Sequence, residues 1–229
     1  MQPRFDLYAN VHKALRKAMS DVLFELGRLD LSSETAVETT VTLVRELLDG
    51  LSLHLAVESQ FVHAALLARG PYGIAHELER DHDEHKRAIS LLREDLSVFS
   101  ASFHEPATVR AGRARHLYLA LSRFIAENFL HMAVEEMEMN ARLWETFTDQ
   151  ELMNINQDII AHETPEQIAR SLKYMLPAMP PLDRAQLLGD ARSFMPEEAF
   201  HGVLALARFV LSSAEYEQLS QQLSELSAA

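Results

Sequence analysis

Along almost the whole chain, apolar residues recur three and four positions apart, the period of one face of an α-helix. Phe5, Tyr8, His12, Leu15, Met19, Val22 and Leu26 trace a first stripe that stops near Gly27. A second helix follows RLDLSS, either capped by Thr35 with Glu38 or started at Ser32 or Ser33. It carries Leu43, Leu47, Leu51, His54, Glu58 and Phe61 to a stop at Gly70-Pro71. His82, His85, Ile89, Leu92, Leu96 and Phe99 line a third helix, which ends in the loop SASFHEP. The fourth spans Ala107 to Thr146, with Leu117, Phe124, His131, Glu135 and Met139 or Leu143 on its inner face.

Four long helices joined by short loops fold most simply as an up-down-up-down bundle, in which the facing stripes meet in a central seam. The expected fold is all-α: a four-helix bundle over residues 1–147 with a C-terminal helical extension over 148–229. In the extension the helices shorten and acquire separate start signals, Thr148 with Glu151 and Thr164-Pro165 with Gln167, with prolines at 177, 180, 181 and 196. Its apolar positions, among them Leu188, Phe200 and Phe209, are enough to cover the bundle or a partner subunit, so a homo-oligomer could form through these helices. They suggest no chemistry.

Composition narrows the chemistry. Only 7 glycines and 8 prolines, with 48% hydrophobic residues, agree with helices. The absence of cysteine removes disulfides, thiolate zinc sites and iron–sulfur ligation, so a bound metal must take nitrogen and oxygen ligands. A formal net charge of −13 repels phosphate backbones and anionic headgroups, which argues against nucleic acid and membrane partners. The N-terminus has no apolar targeting core and no uninterrupted apolar run approaches the roughly 18 residues of a membrane span, so the cytoplasm is the expected location.

Two motifs stand out on the seams. HLAVE, His54 to Glu58, and HMAVE, His131 to Glu135, each put an imidazole and a carboxylate one helical turn apart, so that both can reach one metal centre. Each pair is preceded by a histidine on the helix before it: His12 lies 42 residues ahead of His54, and His82 lies 49 ahead of His131. VHKALRKAMS also aligns over DHDEHKRAIS, which suggests a two-fold helix-hairpin repeat. Four imidazoles and two carboxylates suit a first-row ion such as iron or manganese, with carboxylates bridging two ions. Without a partner, each such buried group would cost on the order of 2 kcal/mol or more. His63, His76, His104, His116, His162 and His201 lack a repeated context and read as structural or surface residues.

His12, His54 with Glu58, the DHDEH segment and HMAVEE together resemble the hemerythrin-like, or HHE cation-binding, domain proteins over about residues 5–146. The resemblance implies a non-haem diiron site in a four-helix bundle: two iron ions (Fe2+/Fe3+) with an oxo or hydroxo bridge, His12 and His54 on one, His82 and His131 on the other. Glu58 and Glu135 would bridge them, with Glu136 as the adjacent alternative. Oxygen-carrying members have a fifth histidine four residues after the first on the third helix, whereas here His85 follows His82 by three. His85 is thus a fifth ligand, a group behind the ligands, or the ligand in place of His82. Zinc or manganese could occupy the same residues, since affinity order alone does not select iron.

The function expected from this set is metal binding, with oxygen, nitric oxide or peroxide bound or sensed, or iron buffered. Tyr8, Phe61, Phe124 and Met132 would tune access to the centre. One alternative is an oxygen-activating diiron enzyme built on Glu-x-x-His pairs, which Glu79 with His82 and Glu198 with His201 match. Another is a metal-free helical interaction module.

Overall fold

The computed structural model describes residues 4–70 and 73–228. Among these the secondary structure is helical, without a strand, as the periodicity predicts. The first long helix is α1 (Ala9–Gly27). The second is α2 (Glu34–Val57), which continues through a π-helical turn, π1 (Glu58–His63), into α3 (Ala64–Arg69). The third is α4 (Gly73–Ser100). The fourth is α5 (Ala107–Val134), which continues through a second π-helical turn, π2 (Glu135–Met139), into α6 (Asn140–Thr146). Five shorter helices follow: α7 (Asp149–His162), α8 (Pro165–Ala178), α9 (Pro181–Phe194), α10 (Glu197–Val210) and α11 (Ser213–Ala228).

Local chemistry sets the ends of these helices. Of the three candidate starts for α2, the chain uses Ser33, whose side chain accepts from the Ala36 amide. The stop read at Gly70-Pro71 is described as far as Gly70, and Pro71 lies outside the described residues. Thr148 with Glu151 and Thr164 with Gln167 form the two expected reciprocal caps. Ser212 with Glu215 forms a third, at the start of α11.

By contacts the chain divides into two compact units, Met1–Tyr8 with Ala18–Ile159, and Ala9–Lys17 with Ile160–Ala229. In the first, α4 packs against both α2 and α5. Val44, Leu48, Leu51, Leu78, Leu117 and Leu121 are at most 1% exposed. Each such side chain contributes about 1.5–3 kcal/mol of burial free energy. The run Glu34–Arg69 has, by length and composition, a window apolar enough to match a membrane span. Many of its apolar side chains fill this core instead. The first unit extends past residue 147 because Leu152 on α7 is buried in one cluster with Tyr8, Val62, Leu66, Met139 and Leu143.

In the second unit, α10 packs on α8, α9 and α11, and α9 on α11. Leu176, Leu188, Phe200, Ala207 and Leu219 form its core. Phe209, expected among the covering apolar residues, is 82% exposed because α10 buries Phe200 and Ala207 on another face.

Candidate metal centre

The two His-x-x-x-Glu pairs have the same geometry. His54 Nε2 lies 3.2 Å from Glu58 Oε1, and His131 Nε2 lies 3.2 Å from Glu135 Oε1. Their backbones also match. The Glu58 amide donates to the carbonyls of both His54 and Leu55, and that of Glu135 to both His131 and Met132. Each glutamate thus opens one of the two π-helical turns. Such turns are rare, and they occur frequently at functional sites.

His82 on α4 joins the pairs. Its Nε2 lies 3.1 Å from His131 Nε2, 3.5 Å from Glu135 Oε1 and 3.6 Å from Glu58 Oε2. Its other nitrogen, Nδ1, is 2.9 Å from the Ser59 hydroxyl, which fixes the ring. Glu58, His82, His131 and Glu135 are all buried, and each offers one ligand atom within 4.8 Å of the others. Two atoms that each bind one first-row ion at about 2.0–2.2 Å lie no more than about 4.4 Å apart. The distances from His82 to His131, Glu135 and Glu58, and from His131 to Glu135, all lie below that limit, and the nitrogen and oxygen donors suit a cation chemically.

Burial and charge act on the ionisable groups in opposite directions. At His131 burial disfavours the charged ring, but the hydrogen bond and charge of Glu135, with Glu58 and Asp81, outweigh it and raise the pKa. The Tyr8 hydroxyl is held well above its usual range by burial and by the negative charges of Glu135, Glu58 and Asp6, so it remains a neutral phenol. Burial lowers His85 to about 4, helped by His131 and His82. Burial also lowers His63, again with His82.

The remaining sequence candidates fall in different places. His85 is buried, with its ring edge-on to His131 at 4.8 Å and to Phe124 at 5.9 Å. Its Nδ1 makes no hydrogen bond. His12 is fully buried on α1, in the stretch Ala9–Lys17 that groups with the second unit. Glu136 is half-buried beside Glu135. Glu198 and His201 are exposed on α10 in the second unit.

Of the six histidines read as structural or surface residues, His76, His104, His116, His162 and His201 are exposed. His63 differs. It is fully buried, its ring stacks on His82 at 4.7 Å, its Nδ1 is 2.6 Å from Glu79 Oε1, and it forms a further ligand-type group with Glu79 and His82. A reading at the α-helical period misses it because the π-helical turn changes the register between Glu58 and His63. The one sequence signal was Glu79, a carboxylate one turn before His82.

No curated protein and no solved structure matches the chain. The model of the hemerythrin HHE cation-binding domain matches residues 5–143, the span that carries both His-x-x-x-Glu pairs, His82 and both π-helical turns. With more than half of its length matched by that model, and with a buried cluster of histidines and glutamates sized for a cation, the chain belongs to the hemerythrin HHE cation-binding family.

Proposed function

We propose that the protein holds two iron ions and binds or senses oxygen, nitric oxide or peroxide with them, or buffers iron. The observation that carries this reading is the buried set of Glu58, His82, His131 and Glu135, two carboxylates and two imidazoles with ligand atoms within 4.8 Å of one another. Left without a cation, so many buried polar groups would be costly.

In this assignment His82 and His131 would hold one ion and His12 and His54 the other, with Glu58 and Glu135 shared between the two. Iron in such a centre supplies the electrons with which small oxidants are bound or reduced. The protein's own residues set the conditions. Ser59 orients the His82 ring, and Tyr8 keeps a neutral hydroxyl close enough to feel both glutamates. Phe124 and Met132 add apolar cover around α5.

The enzyme alternative gains little support, because its second Glu-x-x-His pair, Glu198 with His201, is exposed on α10. The test is elemental analysis of protein produced with ample iron, followed by absorption spectra of the reduced form before and after oxygen. Two irons per chain with a reversible change support ligand binding or sensing. Irreversible oxidation shifts the reading to redox sensing or an enzyme, and no bound metal rejects it.

A further inference from the structure

We infer that His63 is a further metal ligand, an imidazole that closes the coordination of the ion held by His82 and His131 and is set in place for that role by Glu79. The inference rests on the two-ion reading above and adds a residue that neither the repeat nor the His-x-x-x-Glu motif identifies.

His63 is fully buried, and its Nε2 makes no hydrogen bond. That nitrogen lies 4.0 Å from Glu135 Oε1, the same oxygen that His82 Nε2 approaches at 3.5 Å. A separation of 4.0 Å is too long for a hydrogen bond. It lies within the roughly 4.4 Å expected of two atoms bound to one first-row ion. The His63 and His82 rings are stacked at 4.7 Å with 26° between their planes, so two nearly parallel imidazoles face one carboxylate oxygen.

Glu79 determines which nitrogen is available. Its Oε1 is 2.6 Å from His63 Nδ1 and accepts that proton, which leaves the Nε2 lone pair directed at the centre. Metal-binding histidines almost always donate their other N–H to a carboxylate, carbonyl or water in this way. Because Glu79 is engaged at His63 Nδ1, it acts as a positioning residue rather than as a ligand. His85 has no equivalent support, since its Nδ1 makes no hydrogen bond and its ring sits against Phe124 and His131.

The backbone explains how a residue five places after Glu58 reaches the same centre. In an α-helix five residues make about 1.4 turns, which would carry His63 well off the Glu58 face. In a π-helical turn the hydrogen bonds run from i to i+5 and the backbone is wider, so residues five apart come closer to one face, and π1 begins at Glu58 and ends at His63. The same position after Glu135 is Asn140, also buried, whose amide makes no hydrogen bond. With His63 the ion at His82 and His131 would have three imidazoles and the ion at His12 and His54 two, so the two would be unequal.

The experiment uses the full chain, stripped of metal and titrated anaerobically with ferrous iron, as wild type, His63→Ala, Glu79→Gln and His85→Ala. Iron affinity is read by chelator competition, the number of imidazoles per iron by X-ray absorption, and folding of each metal-free variant by circular dichroism. His63→Ala should weaken one of two sites at least tenfold and reduce the imidazoles shared by the two irons from five to four. Glu79→Gln should weaken the same site about tenfold, because an amide can donate to Nδ1 and leave the proton on Nε2. If His63→Ala fails to fold, Glu79→Gln decides, since its side chain is 34% exposed and His63 stays in place. His85→Ala should keep the wild-type number of imidazoles per iron. Wild-type affinities and imidazole count in His63→Ala, or in Glu79→Gln when that variant decides, overturn the inference and leave the two-ion reading intact, as does a loss of an imidazole in His85→Ala instead. A wild type that binds no iron rejects both.

Discussion

The stretches that begin at Glu58 and at Glu135 both open on a π-helical turn and carry different side chains five residues on. Each opens with a glutamate paired at 3.2 Å to the histidine four residues before it, and each is π-helical. Five residues after the glutamate, the first turn ends on His63, held by Glu79, whereas the second has ended at Met139 and Asn140, a buried amide without a hydrogen bond, opens α6. The common part is the part that both ions would need, two bridging carboxylates on rigid helices. The differing part is what can make two otherwise equivalent ions unequal, because a single nitrogen decides whether a coordination position is filled or open.

The largest expected effect tests the common part. Glu58→Ala and Glu135→Ala should each reduce iron from two per chain toward none, measured by elemental analysis, because a bridging carboxylate serves both ions. Two irons retained in both variants would falsify the ligand assignment. A loss in only one of them would break the equivalence of the two turns.

Ser59→Ala should come next. Removing the hydroxyl 2.9 Å from His82 Nδ1 should weaken iron binding about 10–100-fold, read by chelator competition, through a loosened ring. Asp81→Ala should do less, since Asp81 lies 3.7 Å from His131 Nδ1 and is half exposed.

Asn140→Leu sharpens the contrast from the other side. Replacing a buried amide that has no hydrogen-bond partner should raise the stability of the metal-free chain by about 1 kcal/mol in thermal unfolding. Iron content should stay at two per chain, in contrast to the weakened site expected of His63→Ala.

The smallest effect concerns pH. The folded pKa of His85 is about 4, below the unfolded value near 6.5, so between these values the unfolded chain binds more protons. Its contribution is complete above pH of about 6.5 and is lost as pH falls toward about 4. The raised pKa of His131 acts in the opposite direction, with a contribution that is present in acid and lost as pH rises. Metal-free His85→Leu should therefore lose less stability than the parent between pH 7 and pH 5 in denaturant titrations.

Much of the helical framework was legible from the chain because it is local. Apolar period alone located the long helices, and the α4 stripe of His82, His85, Ile89, Leu92, Leu96 and Phe99 is buried in full. The reciprocal caps of Thr148 and Thr164 were readable because they depend on residues three apart. The π-helical turns were not legible, since a shift from i+4 to i+5 hydrogen bonding leaves no mark in composition. His63 went unrecognised for the same reason, and the exposure of Phe209 could not be read because nothing in its period says which face of α10 its neighbours cover.

By itself the sequence determined that the chain is helical, that it has no thiolate chemistry, and that His54 with Glu58 and His131 with Glu135 each share one helical face. Those properties follow from residue type and from the 3.6-residue turn. Only the tertiary structure decided that His82 stands 3.1 Å from His131 and 3.6 Å from Glu58, that His63 is buried against His82, and that His85 turns its ring edge-on to Phe124. Those relations join residues 49, 24 and 39 positions apart or depend on a local change of helical register, and the packing of helices against one another sets them.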